Sequence, residues 1–407
     1  MLNIDSALKL KVPDDLVAEA SYHNLAGSYV PNIYCKTGFP YVLALTLITI
    51  SGRAVAQQSG PPDAIDWHDT VSLDRLIPQL ETKRVIFVGE MHDRYDNHLN
   101  QLAIIQRLHQ LDSNLAIGVE YFEQPFQVQV DDYIAGKTTE REFLQATDYF
   151  ETWGFDYRLY APIFRYAREH KVPVRALNVP ATLASAVAKR GIAGLAPDQR
   201  TYLPKEIVPA DEAYRSRLRE AFEEHKSSQR DAFEHFVEAQ LVWDEGMAES
   251  AAAYLNAHPE NKMVILAGAG HVEFGTGIPK RLERRTKATS AIVVSSGIEV
   301  EPQIADYVLL SNKQELPAAG VLGVNVEEKD GQCRIRSVVP GGAAEKAGLK
   351  KGDVLVEVDH LTIKKRSDVR VALWDKKSGD RVQVTVRRKS STKSFDVELA
   401  ASPMEPH

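Results

Sequence analysis

Five short apolar runs, separated by stretches with helical periodicity, constrain the fold of this chain more than any other feature. Each run is rich in β-branched residues, which is typical of a strand buried on both faces. Strands that alternate with helices form a mainly parallel sheet covered by helices. The spacing predicts an α/β domain over about residues 65–300. The runs are Val85–Val88, Leu115–Val119, Val174–Leu177, Met263–Leu266 and Ala291–Val294.

The remaining sequence predicts a second domain. The chain has 407 residues, long enough for two domains, and its 44% apolar content is sufficient for a core. Residues 301–320 read as a linker, and 321–400 are rich in valine runs and glycine turns, which predicts a small β-rich domain. The net charge of -7 gives no reason to expect a nucleic-acid partner.

A hydrophobic run near the start predicts export. Phe39–Ile50 follows Lys36 and precedes Ala54-Val55-Ala56, the pattern of a signal peptide cleaved near residue 56. We therefore expect residues 1–58 to be a leader and the protein to be periplasmic or otherwise exported, possibly membrane-associated. An uncleaved anchor or a buried hydrophobic segment are the alternatives.

The first apolar run ends in a turn that concentrates acids and imidazoles. Gly89 closes the run, and a helix with Leu99, Leu102, Ile105 and Leu108 on its apolar face should follow. Asp96 or Asn97 is expected to cap that helix. Strand-to-helix turns of this kind hold the ligand sites of open α/β sheets. The polar residues of the turn are Glu90, His92, Asp93 and His98.

Polar residues also follow three further predicted strands. Glu120, Asn178 and His271 come directly after the second, third and fourth runs. Carboxyl ends of parallel strands share one edge of a sheet, so these side chains should converge with Glu90 and His92. A set of this kind can bind a metal ion or perform acid–base chemistry. Gln240 and Asp244, on the apolar face of a long predicted helix, are expected to point into the same site.

Several common chemistries are disfavoured. The sequence has no His-Glu-x-x-His zinc helix, no P-loop and no Gly-x-Ser-x-Gly elbow. Gly268 and Gly270 begin a dinucleotide fingerprint, but Glu273 occupies its third glycine position. Metal-activated water, or ligand binding without turnover, fits the residues better.

The motifs resemble those of the ChaN-like haem-binding uptake family of the Tiki superfamily. The match begins at Gly89-Glu90-Met91-His92-Asp93 with His98 and Gln101, and it runs through about residues 70–300. The further matching motifs are Trp153, Tyr160-Ala161-Pro162, Val174–Pro180, Gln240, Trp243-Asp244, Met247-Ala248, Gly268–His271 and Gly277-Ile278-Pro279.

The resemblance implies a Rossmann-like domain that takes part in haem and iron acquisition. It also implies haem bound in pairs between two subunits, hence a possible homodimer, with tyrosine as an iron ligand. The tyrosine candidates are Tyr95, Tyr121, Tyr157 and Tyr160. The expected haem-binding or ligand-binding residues are His92, His98, Tyr95, Tyr160, Asn178, Asp244 and His271.

The same superfamily implies an alternative, because Gly89, His92 and Glu120 resemble residues of the Tiki metalloproteases and of the similar erythromycin esterases. In that case the chain would be a hydrolase that uses a divalent metal, Mn, Fe or Zn. The metal ligands, or the residues that activate water, would be Glu90, His92, Glu120 and His271.

The C-terminal region resembles a bacterial-type PDZ domain, with Pro340-Gly341-Gly342-Ala343-Ala344 and Gly352-Asp353-Val354-Leu355 as the main motifs. The resemblance implies that a partner's C-terminal peptide adds a strand beside Leu322-Gly323-Val324. Backbone N–H groups of that loop would hold the carboxylate, and Val369 and Leu373 would line the side-chain pocket. A third hypothesis is a non-catalytic adaptor in which only this domain binds a partner.

Overall fold

Six parallel strands form the sheet of the first domain. The structure is a computed structural model that describes residues 70–223, 232–295, 297 and 300–402, so the predicted leader lies outside the described residues. The strands are Val85–Glu90 (β1), Leu115–Glu123 (β2), Val174–Asn178 (β3), Lys262–Gly268 (β4), Ser290–Ser295 (β5) and Tyr307–Leu309 (β6). They lie in the order β3-β2-β4-β1-β5-β6, and every neighbouring pair is parallel.

Helices connect the strands of this sheet. The helices are Leu73–Glu81 (α1), Tyr95–Leu111 (α2), Gln127–Ile134 (α3), Glu140–Ala146 (α4), Tyr149–Thr152 (α5), Ala161–His170 (α6), Ala181–Arg190 (α7), Glu212–Glu223 (α8), Ala232–Ala257 (α9) and Ile278–Thr286 (α10).

Both faces of the sheet are covered, as the apolar runs predict. Ile86 and Val88 of β1 point into a core shared with α1, α2 and α6. Val85 and Phe87 point the other way, into a core shared with α9 and α10. This alternation explains why the five predicted runs are apolar except at Arg175 in β3. The predicted α/β class with helices on both faces is confirmed.

The structure differs from the sequence prediction at two places. Helix α2 begins at Tyr95, with Arg94 at its N-cap, so neither Asp96 nor Asn97 is the cap that we predicted. Asp96 instead accepts hydrogen bonds from Arg94, and the side chain of Asn97 accepts one from the backbone N–H of Met91 at 3.0 Å. The segment predicted as a linker contains β6, whose three residues are too few to show a strand period.

The second domain is built on antiparallel strands. Its elements are Gly320–Val321 (β7), Val324–Lys329 (β8), Gln332–Val338 (β9), Ala343–Lys346 (α11), Val354–Val358 (β10), Leu361–Thr362 (β11), Arg366–Leu373 (α12), Arg381–Arg388 (β12), Ser391–Glu398 (β13) and Ala400–Ala401 (β14). The main sheet runs β13-β12-β10-β9-β8, and β14 pairs with β7. This confirms the predicted β-rich second domain.

The described residues from Ser72 onward form one compact unit, and α12 of the second domain packs on α4 and α5 of the first. Arg141 bonds to the carboxylate of Asp359 at 2.9 Å, and Lys365 pairs with Asp148. Across the described ranges, no helix combines the length and apolar character needed to cross a bilayer.

Candidate functional site

Glu90 lies between two histidines at the end of β1. Its Oε1 accepts a hydrogen bond from Nδ1 of His92 at 2.6 Å, and its Oε2 lies 2.9 Å from Nε2 of His98. The second contact is an ion pair without hydrogen-bond geometry, because the His98 Nε2–H group donates to the backbone carbonyl of His92 at 3.1 Å. All three side chains are buried, so a strand end has gathered three ionisable groups away from water.

Both ring nitrogens of His98 face acceptor atoms inside the protein. Gln101 donates from Nε2 to the carbonyl of Val88, which leaves its Oε1 facing Nδ1 of His98 at 3.1 Å. The other ring nitrogen faces the carbonyl of His92 at 3.1 Å. The ring of His98 is therefore held in place from both sides.

The two histidines lower the pKa of Glu90. Burial raises the pKa of Glu90, but the charges of His98 and His92 outweigh burial and lower it to about 2. Burial lowers the pKa of His92, but the Glu90 carboxylate outweighs it, so that the net shift is upward. Glu90 is therefore an ionised acceptor that fixes the ring of His92 through Nδ1. Among the described residues, Nε2 of His92 makes no hydrogen bond.

A second histidine is held by carboxylates beside the first. His271 follows β4, and its Nδ1 lies 2.6 Å from Oδ1 of Asp244 on α9. Its Nε2 lies 3.4 Å from Oε1 of Glu120, whose other oxygen accepts from the backbone N–H of Gly268 at 2.7 Å. Burial lowers the pKa of His271, but Glu120 and Asp244 outweigh burial and raise it to about 10. His271 is therefore an imidazolium between two carboxylates.

The two groups meet at Gly268. A Cβ atom built on that glycine would lie 2.9 Å from Cε1 of His92 and 3.6 Å from Oε2 of Glu120. Only a glycine leaves room for both side chains, which explains the residue that ends β4. The ends of β1, β2 and β4 thus converge at this edge of the sheet, together with Asp244 from α9.

Asn178 and Gln240 are not tied into this network. Asn178 ends β3 at the same edge and lies opposite Glu123, and no hydrogen bond to its Oδ1 occurs within the described residues. Gln240 is buried on α9, and its Nε2 also lacks a partner there. Of the two polar residues that we expected the long helix to present, Asp244 contacts His271 directly.

An aromatic shell covers His92. The rings of Trp153 and Phe155 have centroids 4.7 Å and 5.0 Å from its imidazole. Tyr160 donates its hydroxyl hydrogen to the backbone carbonyl of His92 at 3.1 Å and accepts from Nε1 of Trp153 at 3.1 Å. The segment after α5 therefore closes one side of the site.

The tyrosine candidates for an iron ligand differ sharply in their surroundings. Tyr121, Tyr157 and Tyr160 are fully buried and bonded through their hydroxyls, and burial raises their pKa values well above 10. Tyr95 is half-buried at the start of α2, and its hydroxyl makes no hydrogen bond within the described residues. Of the four, Tyr95 alone is neither fully buried nor bonded through its hydroxyl within the described residues.

The donor set fits haem iron, which accepts tyrosine or histidine as axial ligands. Tyr95 supplies an oxygen donor that makes no hydrogen bond to any residue that the structure describes. The Nε2 atom of His92 supplies a nitrogen donor whose ring is oriented by a carboxylate on its other nitrogen, the arrangement usual for metal-ligating histidines.

The four predicted metal ligands occur as histidine–carboxylate pairs, Glu90 with His92 and Glu120 with His271. In the described part of the chain, no three His, Cys, Asp or Glu side chains are grouped so that they could hold a metal ion. Their role as metal ligands stays a prediction.

The predicted peptide residues lie together in the second domain. A cavity of about 320 Å³ is lined by Leu322, Gly323, Val324, Val369 and Leu373. It lies next to β8, the last strand in the order of its sheet, so one edge of β8 is free for an added strand among the described residues. Phe150, Asp156 and Arg158 of the first domain also line this cavity.

Sequence reasoning missed the residues that support Asp244. The hydroxyl of Tyr214 donates to Oδ2 of Asp244 at 2.7 Å, and the guanidinium of Arg281 lies 4.6 Å from the Tyr214 ring centre. Tyr214 lies on α8, which carries no motif, and Arg281 lies two residues after the Gly277-Ile278-Pro279 motif without being part of it, so only the fold shows their place in the site. Phe155 was missed because it also stands outside the motifs.

Comparison with known proteins gives two family matches. A family model described as haem-binding uptake, Tiki superfamily, ChaN matches residues 76–282. A PDZ-domain model matches residues 320–399.

Individual relatives are more distant. The structure "Cofacial heme binding to ChaN of Campylobacter jejuni" is 21% identical, covers 58% of this chain and 91% of that chain, and has a TM-score of 0.48. The structure "HtrA-type protease AlgW with decapeptide" is 22% identical, covers 22% and 31%, and has a TM-score of 0.20. Serine protease Do-like HtrB of Bacillus subtilis (strain 168) is 30% identical over 118 residues, 25% of this chain and 26% of that protein. The chain thus spans about a quarter of that curated relative.

Proposed function

This chain belongs to the ChaN-like haem-binding uptake family of the Tiki superfamily and carries a PDZ domain after the family domain, and from that premise we propose that it binds haem at the turn that follows β1. Tyr95 is the iron ligand of this proposal. The observation that carries it is the half-buried Tyr95, whose hydroxyl makes no hydrogen bond among the described residues, in the same turn as the Glu90–His92 pair.

Each residue of the turn has a defined task in this proposal. Tyr95 would hold the iron through its hydroxyl oxygen, since tyrosine can serve as an axial ligand of haem iron. Glu90 holds His92 in one orientation, and the charges of His98 and His92 keep the pKa of Glu90 low. Trp153 and Phe155 exclude water from the other side of His92. When bound, haem would supply the iron that these residues hold.

A hemin titration of the full chain tests the proposal. We expect a shifted Soret band that saturates at a fixed hemin-to-protein ratio. Tyr95→Phe removes the oxygen donor and should weaken hemin binding at least about tenfold, the effect of losing roughly 1.4 kcal/mol. Tyr202→Phe is the matched control, because Tyr202 is 54% exposed and lies outside the site.

Two results would count against this assignment. Full-strength binding by Tyr95→Phe would exclude Tyr95 as the ligand. A wild-type chain without any Soret shift would exclude haem. If that chain instead retained Mn, Fe or Zn, and lost the metal in His92→Ala, the metal-dependent hydrolase would be favoured.

We also propose that the protein acts outside the cytoplasm as part of haem or iron uptake and recruits a partner by its PDZ domain. The hydrophobic run at 39–50 supports export, and the family supports uptake. Fusion of residues 1–60 to alkaline phosphatase should yield an active, exported reporter, whereas Leu43→Arg with Leu45→Arg in the run should abolish export. Sedimentation with and without hemin tests the homodimer that the family resemblance implies.

A further inference from the structure

The peptide groove is walled by both domains. From the second domain come the loop Leu322–Val324, Val339 and α12, whose Val369 and Leu373 face the cavity. From the first come Phe150 on α5 and the Asp156–Arg158 segment. The groove therefore has a wall that an isolated PDZ domain would lack.

The lining selects a chemical class of ligand. Phe150, Val339, Val369 and Leu373 present apolar surface for a side chain. Two guanidinium groups, Arg158 and Arg370, face one carboxylate, Asp156, so one positive charge is in excess. Arg158 is fixed by Nε, which donates to Asp156 at 3.0 Å, and by the carbonyl of Pro317 at 2.6 Å. A peptide C-terminus with an apolar last residue meets both requirements.

Arg370 joins the groove to the first domain. Its guanidinium carbon lies 4.4 Å from the ring centre of Phe150, and its Nη2 donates to the backbone carbonyl of Gly154 at 2.6 Å. A peptide that contacts Arg370 or Phe150 therefore acts on a residue that is bonded to the segment after α5.

The same segment holds His92. Gly154 stands between Trp153 and Phe155, whose rings have centroids 4.7 Å and 5.0 Å from the imidazole of His92. The path from the groove to the site is thus short and continuous: Arg370, the Gly154 carbonyl, two aromatic rings, His92.

We propose that the groove is a composite site for peptide C-termini with an apolar last residue, in which the first domain supplies a wall, and that its occupancy is sensed at His92 through Trp153–Phe155. The bound peptide fixes Phe150 and Arg370, and these hold the segment against His92. Any measurement of the sensing that uses haem rests on the proposed function. The main test of the sensing is therefore a measurement on the protein without haem.

The composite wall is tested by peptide affinity in the full chain. The probes are fluorescein-labelled heptapeptides ending in Val, Leu, Ile or Phe, each with a free carboxylate or as the amide. We expect the free acids to bind and the amides to bind at least about tenfold more weakly. Arg158→Ala should weaken the best acid about tenfold, since it leaves Asp156 unpaired near the ligand carboxylate, and Arg158→Lys should restore part of the loss.

Arg336→Ala is the control, because Arg336 is exposed on β9 and lies outside the cavity lining. Equal affinities of wild type, Arg158→Ala and Arg336→Ala would overturn the composite wall. The composite wall would also be overturned if the free acids and the amides bound with equal affinity, or if none of the peptides bound.

Sensing at His92 is tested by NMR of histidine-labelled apo protein, with the His92 signal assigned by His92→Gln. Saturating peptide should shift that signal in wild type and in Arg366→Ala, and the shift should vanish in Arg370→Ala. Arg366 is exposed one turn earlier on the same helix. An unmoved His92 signal at peptide saturation would overturn the sensing.

Hemin adds a reciprocal measurement. Peptide and hemin should each strengthen the other's binding by the same factor, about fivefold. A chain that binds no hemin but shifts His92 with peptide disproves the proposed function and leaves the sensing intact. If the chain binds hemin, but peptide and hemin do not change each other's affinity and the His92 signal does not move, the proposed function stands and the sensing is disproved.

Discussion

Gly268 is the residue on which the geometry of the site depends most directly. The imidazole of His92 lies where a side chain at 268 would begin, and Glu120 bonds to its backbone N–H. Both histidine–carboxylate groups therefore contact the same strand end. A close approach of this kind is a reason for glycine that sequence motifs do not reveal.

Substituting Gly268 should damage the site and the fold together. The new Cβ of Gly268→Ala would lie 2.9 Å from a ring atom of His92, so the ring must move. We expect a loss of about 1–3 kcal/mol in the free energy of unfolding, typical of overpacking, and weaker hemin binding. Gly270→Ala is the matched control, since its Cβ meets nothing within 4 Å. Equal urea midpoints for the two variants would contradict the prediction.

His271 should make stability depend on pH. Its pKa of about 10 in the folded protein exceeds the ordinary value of 6.5. Its contribution to the free energy of unfolding is therefore full below about pH 6.5 and is lost as the pH rises through 10. Asp244→Asn removes one charge that raises this pKa, and should cost about 2 kcal/mol near pH 6 and less near pH 9.5. Urea unfolding at both pH values measures the difference. Asp375→Asn is the control, because Asp375 is exposed, and it should not change the free energy of unfolding at either pH. If Asp244→Asn lost the same free energy of unfolding at both pH values, the pH linkage through His271 would be refuted.

At the scale of elements, the segment between α5 and α6 does more than connect two helices. It covers His92, lines the groove and is bonded to α12 through the carbonyl of Gly154. Gly154 has a φ of +87°, a conformation that favours glycine, and no atom lies within 4 Å of its built Cβ. Any cost of substitution there comes from backbone strain alone.

Gly154→Ala should therefore cost about 1–2 kcal/mol of unfolding free energy. Gly270→Ala again serves as the control, because that site is equally open and its φ is ordinary. We expect the strain to loosen Trp153, which near-ultraviolet circular dichroism would report. A variant as stable as Gly270→Ala, with an unchanged aromatic spectrum, would show that the segment adapts without strain.

Strong local patterns made the sheet predictable. Five mainly apolar runs, one of them interrupted by Arg175, identified β1 to β5, because strands buried on both faces are rich in apolar residues. Their ends extend one to four residues beyond the predicted runs, since Gly89, Glu90 and Tyr121 to Glu123 continue the ladder after the apolar pattern stops. The start of α2 was predicted too late, because Asp96 looks like a cap but pairs with Arg94.

The site was predictable only where chain order implies position. Glu90, Glu120 and His271 follow parallel strands, so the sheet itself brings them together. Tyr214, Phe155 and Arg370 come from segments whose place is set by packing over long sequence separations. No period or spacing encodes those contacts, and the structure was needed to find them.

At the scale of the whole molecule, α12 belongs to both domains. Its Val371 is buried in the core that contains Ile86 and Val88 of β1, and Trp374, which follows the helix, packs its ring 5.2 Å from that of Tyr157. Arg165 also lies over the Trp374 ring, at 5.2 Å. An apolar contact of this kind between domains favours unfolding as one unit over independent motion.

Calorimetry can test this unity through Trp374. Wild type should unfold in one transition, because the second domain loses the burial of α12 when the first unfolds. Trp374→Ala removes the edge contact with Tyr157 and the cation–π contact with Arg165, which together with lost burial should cost about 2 kcal/mol. We expect the variant to show two separated transitions, the lower belonging to the second domain, whereas Trp374→Phe should keep one. Two transitions already in wild type would mean that the domains unfold independently. The first domain would then give the peptide groove no fixed wall, and His92 could not sense the peptide through it.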